Sequence, residues 1–422
     1  MTALDVYLHD EKVGFLERVD GAGLRFTYGP GRPTAAETPV SLSLPVREEP
    51  YEDLECRPFF KGLLPEGEFL RSIARTFHIS AENPFTVLQE IGGECAGAVA
   101  LVAPGGDPPF ASAPDPQWLS EGQLESLLAE LPSRPLLAGP EDDEGVRLSL
   151  AGTRDKLPVL LRDGRVGITR GRPPSTHIVK VPPAGLEGFV ANEAYCMALA
   201  REAGLTVAAA MPMRAGGLEA LSVERYDRVR DGAEVRRIHQ EDFCQASGCP
   251  PEMKYEAEGG PGVADCARLI REHGAAPGST VLRFLDALLF NFLIGNADAH
   301  SKNYSLLLEG ARTPQLAPLY DLLSTRAFGR RFGRKMGMRY GGEYRPERLR
   351  GRHLDRMGDD LGVAHRGVRR HAVEVADRTA RAREAARESL PPGWRDEPII
   401  DAIDEIVAEF ADLLRGAAGE PR

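Results

Sequence analysis

The chain has 422 residues, 42% hydrophobic and 27% charged, an ordinary globular composition with room for two or three domains. Its net charge of −11 excludes an autonomous nucleic-acid binder, which would be basic overall, but not a local basic patch. Cys56, Cys95, Cys196, Cys244, Cys249 and Cys266 form no CxxC pair and match neither a zinc site nor a disulfide framework, so reduced and mostly buried thiols are expected.

The opening MTALDVYLHDEK lacks an apolar run after a basic start, so no secretory signal is expected. The most apolar helical stretch, Val281 to Ile294, carries Arg283, Asp286 and Asn291 and is too short and polar to span a bilayer. A soluble cytoplasmic protein without membrane contact is expected. Residues 4–102 read as a compact strand-rich unit. Leu4 to Leu8 alternates at period two, Gly14–Leu16 and Leu24–Tyr28 follow, a helix covers about 68–77, and 97–102 closes the unit as a strand. The Pro- and Gly-rich run 104–117 reads as a linker or long surface loop. Ser120 and Gln123 then form a capping-box pattern at a helix start.

A second strand-rich block covers about 145–228. Its strands are expected at Val146–Leu150, Leu157–Leu161, Val166–Ile168, Ile178–Val181 and Leu221–Val223, with one helix from Phe189 to Ala203. From about Ile238 the chain reads as mostly helical. Leu282, Leu285, Leu289, Phe292 and Leu293 make a helical stripe, 366–388 reads as a solvated Arg/Ala-rich helix, and a last helix covers about 398–414. The expected division is 1–104, 118–228 and 229–422. A β-rich lobe ahead of a helical lobe gives an α+β class in the order of protein-kinase-like folds, an order that many unrelated folds share.

The informative segments are LIGNADAHSKNYSLLL, residues 293–308, and LAPLYDLLS, residues 316–324. Phosphoryl transfer needs a carboxylate to accept the hydroxyl proton and oxygen ligands to hold Mg²⁺ on the phosphates. Asp298 and Asn303 have the spacing of a kinase catalytic loop, and Asp321 stands where a second metal-binding Asp belongs. The same Asp and Asn could simply cap and turn a surface loop. Lys180 lies in the strand HIVKVP, where a kinase places its phosphate-binding Lys, with Glu193 on the next helix as ion-pair candidate; a solvated edge lysine is the alternative. Ser149 to Lys156 contains one glycine, Gly152, and reads as a phosphate-approaching turn or a plain hairpin. His300 either orients the loop or packs, and Lys302 either reaches a phosphate or points to solvent.

Taken together, the runs VRLSLAGTRDK, HIVKVP, ANEAYC, LSVERYDR, RIHQEDFCQA, PPEMKYE, GNADAHSKNYSLL and APLYDLLS resemble the successive signatures of HipA-type serine/threonine kinases, the toxins of bacterial toxin–antitoxin pairs. FFKGLLPEG (59–67) and GGECAGAVAL (92–101) resemble the small domain that such proteins carry ahead of the kinase lobes. The resemblance implies a two-lobed protein-kinase-like fold with an extra small β-rich N-terminal subdomain, and ATP and Mg²⁺ as cofactors. Asp298 would be the catalytic base, Asn303 and Asp321 the Mg²⁺ ligands, and Lys180 a contact to the ATP phosphates. Ala151, Gly152, Thr153, Arg154, Asp155 and Lys156 would form the phosphate loop, in which Arg154 and Asp155 replace less charged residues. Glu224, Arg225 and Tyr226 would form the hinge that meets adenine, and His300 would stand beside the nucleotide. Ser149 would be the autophosphorylation site, its added negative charge expelling the loop and switching the kinase off. The implied partners are a HipB-like helix-turn-helix antitoxin, DNA only through that complex, and a protein substrate such as an aminoacyl-tRNA synthetase.

Two other functions fit the same residues: a small-molecule kinase of the same fold, and a repressor subunit in which catalysis is dispensable. Between Arg326 and Arg356 eleven Arg and Lys residues interleave with Phe328, Phe332 and Tyr344. That stretch suits contact with a phosphate backbone within a complex, or a solvated surface facing the acidic remainder.

Overall fold

Alternating residues place one face of the strand at 23–28 in the core and leave the other half-buried, whereas residues 4–8 are buried on both faces. The computed structural model describes residues 2–19, 21–30, 38–106, 116–131, 156–169, 174–231, 234–274, 276–309 and 314–421. Strands β1 (Ala3–Leu8), β2 (Glu11–Val19) and β3 (Gly23–Tyr28) form an antiparallel meander. Helices α1 (Asp53–Gly62), α2 (Gly67–Thr76) and α3 (Pro84–Ile91) follow, and β4 (Val99–Val102) returns beside β1, giving the order β3-β2-β1-β4. Phe26, Tyr28, Phe59 and Phe60 meet in edge and tilted ring contacts at the centre of this core.

Next come β5 (Gln117–Trp118), α4 (Glu121–Glu130), β6 (Lys156–Arg162), β7 (Arg165–Ile168) and β8 (His177–Lys180). The expected capping box starts α4: Gln123 N donates to Ser120 Oγ at 3.3 Å and Ser120 N donates to Gln123 Oε1 at 2.9 Å. After α5 (Phe189–Glu202) come β9 (Ala210–Ala215), β10 (Leu218–Glu224), β11 (Arg228–Asp231), β12 (Glu234–Arg237), β13 (His239–Asp242) and α6 (Phe243–Ala246). The second sheet has the order β5-β7-β6-β8-β10-β9, and Leu124 and Leu128 of α4 pack with Leu157, Val159 and Val179 of its core.

The remaining elements are α7 (Val263–His273), α8 (Pro277–Leu293), β14 (Ser305–Leu308), β15 (Gln315–Leu316), α9 (Gly351–Leu361), α10 (His365–Ser389) and α11 (Pro398–Gly419). The stretch after Ile238 therefore holds short strands among its helices. The Arg/Ala-rich helix is not solvated all round, as its composition suggested. Val368, Ala372, Val375, Ala376, Ala382 and Ala386 of α10 are buried, and α5, α8, α9 and α11 all pack on it. Its alanines permit that close approach, while its arginines occupy the remaining faces.

Two compact units result. One comprises Met1–Pro183, Met213–Pro251 and Leu307–Arg312, and the other Ala184–Pro212, Glu252–Leu306 and Thr313–Arg422. The six cysteines are free thiols, five of them buried. No helix among the described residues is long and apolar enough to cross a membrane.

Within the first unit, Glu241 holds the segment after the N-terminal meander: Ser41 Oγ donates to Oε2 at 2.5 Å and Leu42 N to Oε1 at 2.8 Å. Burial raises its carboxyl group to about 8, against the opposing pull of these bonds. A raised carboxyl binds its proton more tightly in the folded chain, so stability falls as pH climbs from the ordinary value near 4.5 towards 8. Glu241→Gln mimics the protonated form. Melting temperatures from pH 5 to 9 should show the variant gaining on the parent up to about pH 8 and level beyond it. Parallel curves throughout would refute this.

Candidate active site

The loop that carries Asp298 is launched by the end of α8. Gly295 adopts φ +63°, the left-handed conformation that ends many helices, and a Cβ there would come within 2.8 Å of Arg326 Cβ. Asn296 N then donates back to Asn291 O at 2.9 Å. Beyond the loop, a 3₁₀ turn over Ser301–Asn303 leads into β14, and Ala317 N returns to Ser305 O at 2.9 Å. This path brings Asp321 alongside the loop from which the chain departed.

One carboxamide connects the two. Asn296 Oδ1 accepts from Asp298 N at 3.1 Å, while its Nδ2 donates to Asn291 Oδ1 at 2.8 Å and to Asp321 O at 3.4 Å. Asn291 in turn donates to Tyr304 Oη at 3.0 Å. Both asparagines are buried, and such amides are tolerated only when bonded in this way. The structure therefore brings the main chains of Asp298 and Asp321 to one side chain. Asp321 itself has φ +52°, a strained setting that Asp adopts more readily than most residues.

Asn303 Nδ2 donates to Asp298 O at 3.0 Å, which fixes the amide and turns its oxygen away from that carbonyl. Asp298, Asn303 and Asp321 are all partly exposed. Tyr255 Oη donates to Asp298 Oδ1, and Oδ2 has no hydrogen-bond partner among the described residues. His300 is buried against Tyr255, ring edge to ring face with centroids 4.9 Å apart, so it packs beneath the loop. Lys302 is buried, and its carbonyl accepts from Tyr320 Oη at 2.7 Å. On α5, Asn192 clamps the segment after Asp321: Nδ2 donates to Ser324 O at 3.0 Å and Oδ1 accepts from Ser324 N at 2.8 Å. Neighbouring Glu193 is buried on the same helix.

In the first unit, Lys180 is buried on β8, in register with Leu221 on β10 and Lys156 on β6. Glu224 ends β10 opposite His177 and is exposed, and half-buried Tyr226 donates through its hydroxyl to Gln240 Oε1. The Arg225 side chain turns inward. It donates to Asp227 Oδ2 at 2.8 Å, Ser175 Oγ at 2.9 Å and Glu94 Oε1 at 3.3 Å, so only its backbone remains for a hinge. Desolvation opposes a buried guanidinium, and here the Asp227 and Glu94 carboxylates overcome that cost. Ser149 and the loop residues Ala151, Gly152, Thr153, Arg154 and Asp155 lie outside the described residues, as does the strand expected at Val146–Leu150.

The sequence reading missed Tyr255, Asn291, Asn296 and Asn192. Asn296, Asn192 and Tyr255 stood inside quoted motifs, GNADAH, ANEAYC and PPEMKYE, where an Asn close to an acid was the available signal for the first two. Tyr255 lies 43 residues from Asp298, and no local pattern links them.

The partly exposed Asp321 carboxylate and the oriented Asn303 carboxamide offer oxygen donors of the kind that suits Mg²⁺. Among the described residues there is no group of three or more His, Cys, Asp or Glu side chains that could hold a metal, and a set completed by Asn falls outside that pattern. The residues present thus fit a hard cation that keeps part of its water shell.

Residues 4–102 match the family described as HipA N-terminal domain, and residues 148–385 the family described as HipA-like C-terminal domain. The chain is 43% identical over 387 residues to "Putative kinase Y4mE" of Sinorhizobium fredii, covering 89% of this chain and 90% of that protein. It is 30% identical over 351 residues to "Serine/threonine-protein kinase toxin HipA" of Shewanella oneidensis, covering 80% and 79%. A solved structure from Shewanella oneidensis MR-1, of HipA with HipB and its operator DNA, superposes with a TM-score of 0.82 at 26% identity, covering 98% of this chain and 96% of that one.

Proposed function

This chain belongs to the HipA family, and on that premise we propose that it is an ATP-dependent protein serine/threonine kinase acting as the toxin of a toxin–antitoxin pair. The observation that carries the proposal is the Asn296 carboxamide, which reaches both Asp298 and Asp321 and so supports their joint action at one phosphate. In this reading Asn303 and Asp321 hold Mg²⁺, which when bound neutralises charge on the transferring phosphate oxygens. Tyr255 fixes one oxygen of Asp298. The other accepts the proton of the acceptor hydroxyl as that oxygen bonds to the γ-phosphorus and the bond to the ADP oxygen breaks. Lys180 contacts the ATP phosphates, the loop from Ala151 to Lys156 covers them, and the backbone of Glu224 to Tyr226 meets the base. The relatives' names support a HipB-like antitoxin as partner, with DNA reached through it. The acceptor is a protein of translation, an aminoacyl-tRNA synthetase being the candidate class.

The test is incubation of the purified chain with γ-labelled ATP and Mg²⁺. Label is expected on Ser149, and Ser149→Ala should lose it while still labelling a protein acceptor. Absence of label on the chain and on every protein of a host lysate would refute the kinase reading.

A further inference from the structure

Residues 326–356 hold eleven Arg and Lys against Glu343, Glu347 and Asp355, an excess of eight positive charges. With that excess set aside, the remainder of a −11 chain stands at −19. The stretch does not neutralise itself. Glu347 is taken by Arg326 at 2.7 Å and Asp355 by Arg369 at 2.8 Å, while Glu343 accepts from Arg345 N at 2.9 Å. Arg339 is held by Glu256 at 2.6 Å, and Arg331 donates to Gly185 O. Arg330, Arg334, Lys335, Arg345 and Arg348 are exposed, and none has a carboxylate within ion-pair distance among the described residues.

The backbone places Lys335 and Arg345 together and beside the Asp298 loop. Met336 N donates to Tyr344 O at 2.8 Å, so Lys335 and Arg345 flank one crossing point. The Arg326–Glu347 pair joins the two ends of the excursion. Gly337 lies directly on the loop: a Cβ there would come within 2.7 Å of Ala299 O and 3.0 Å of His300 N. Glu256, next to Tyr255, bonds the far side through Gly337 O at 3.3 Å and Arg339 N at 2.6 Å. Lys335 is two residues from Gly337, a reach of about 7 Å. Lys335 therefore lies close in the chain to the segment packed on the Asp298 loop.

We propose that Arg334, Lys335 and Arg345, with Arg330 and Arg348 behind them, form the docking surface for an acidic flank of the protein acceptor. The inference rests on the phosphotransfer reading of Asp298, and it names the substrate class. Position favours a peptide flank, because the patch adjoins the place where the acceptor hydroxyl must sit. Charge favours a short one, because the strongly acidic remainder repels a long phosphate backbone.

The test compares three serine peptides, flanked by Glu, by Gln or by Lys, on the parent chain, on Arg334→Glu/Lys335→Glu/Arg345→Glu, and on the Gln triple variant. Phosphorylation and fluorescence-anisotropy binding are both read. The parent should prefer the Glu-flanked peptide by about tenfold in kcat/KM, less in high salt. Reversal should invert that order and neutralisation abolish it, with the KM for ATP unchanged. Equal use of all three peptides by the parent overturns the docking surface and leaves the kinase reading intact. Charge-dependent binding without transfer does the opposite. Duplex DNA or tRNA bound through these three residues, with no peptide bound, overturns the proposal in favour of a nucleic acid.

Discussion

Asp298→Asn is expected to slow phosphoryl transfer by about 10²–10⁴-fold, the usual contribution of a positioned general base. The substitution is nearly isosteric. Its carbonyl oxygen can still accept from Tyr255 Oη, and the backbone bonds to Asn296 and Asn303 do not involve the altered atoms. The loop should keep its path, so the loss reports on the carboxylate. Initial rates of label transfer from ATP measure it, alongside growth arrest on induction. Tyr255→Phe provides the graded comparison. It removes one charge-assisted bond and leaves the base free to turn, so about a tenfold loss in kcat is expected with the KM for ATP unchanged. An Asp298→Asn chain that transfers phosphate at the parent's rate would end the assignment. A Tyr255→Phe chain as slow as Asp298→Asn would mean that Tyr255 does more than hold its neighbour.

Glu94→Gln is expected to cost about 3–5 kcal/mol of folding stability, the range for breaking a buried ion pair. Glu94 Oε1 lies 3.3 Å from Arg225, 3.2 Å from Arg228 and 3.5 Å from Arg237, and Asp227 lies 2.8 Å from Arg225 and 2.9 Å from Arg228. Three guanidinium groups thus share two carboxylates, all buried. Burial by itself raises the Glu94 carboxyl, but Arg237, Arg225 and Arg228 overcome it and hold the group below its usual range. Removing this charge leaves three buried cations with Asp227 alone. Arg237 is the weak member: burial first, then Arg228, bring it down to about 9. Arg237→Met should therefore cost far less than Glu94→Gln, or stabilise. Urea unfolding of both variants decides the matter, and equal losses would show that the cluster is not limited by excess positive charge. The depressed Glu94 and Asp227 carboxyls add stability that is present above the ordinary carboxylate range and lost as pH falls through their folded values.

What could be read from residues near one another in the chain was read well. The helix expected at 68–77 is α2 at Gly67–Thr76, the box at Ser120 and Gln123 caps α4, and the strand expected at Ile178–Val181 is β8 at His177–Lys180. Periodicity and caps act within about four residues, so the sequence carries them directly. Helix α1 escaped notice because Pro58 lies inside it, and β13 and β14 because they fall in the stretch after Ile238 that reads as mostly helical. The five-residue spacing of Asp298 and Asn303 was likewise legible as a pattern.

Which groups meet was decided by the tertiary structure alone. Asn296 reaches Asp321 across 25 residues, Tyr255 reaches Asp298 across 43, and Arg225 reaches Glu94 across 131. The sequence determined the family, the elements and the residue types able to handle phosphate. The fold decided which of them are desolvated together, because the strength of a hydrogen bond or ion pair depends on burial and geometry that exist only once the chain has closed.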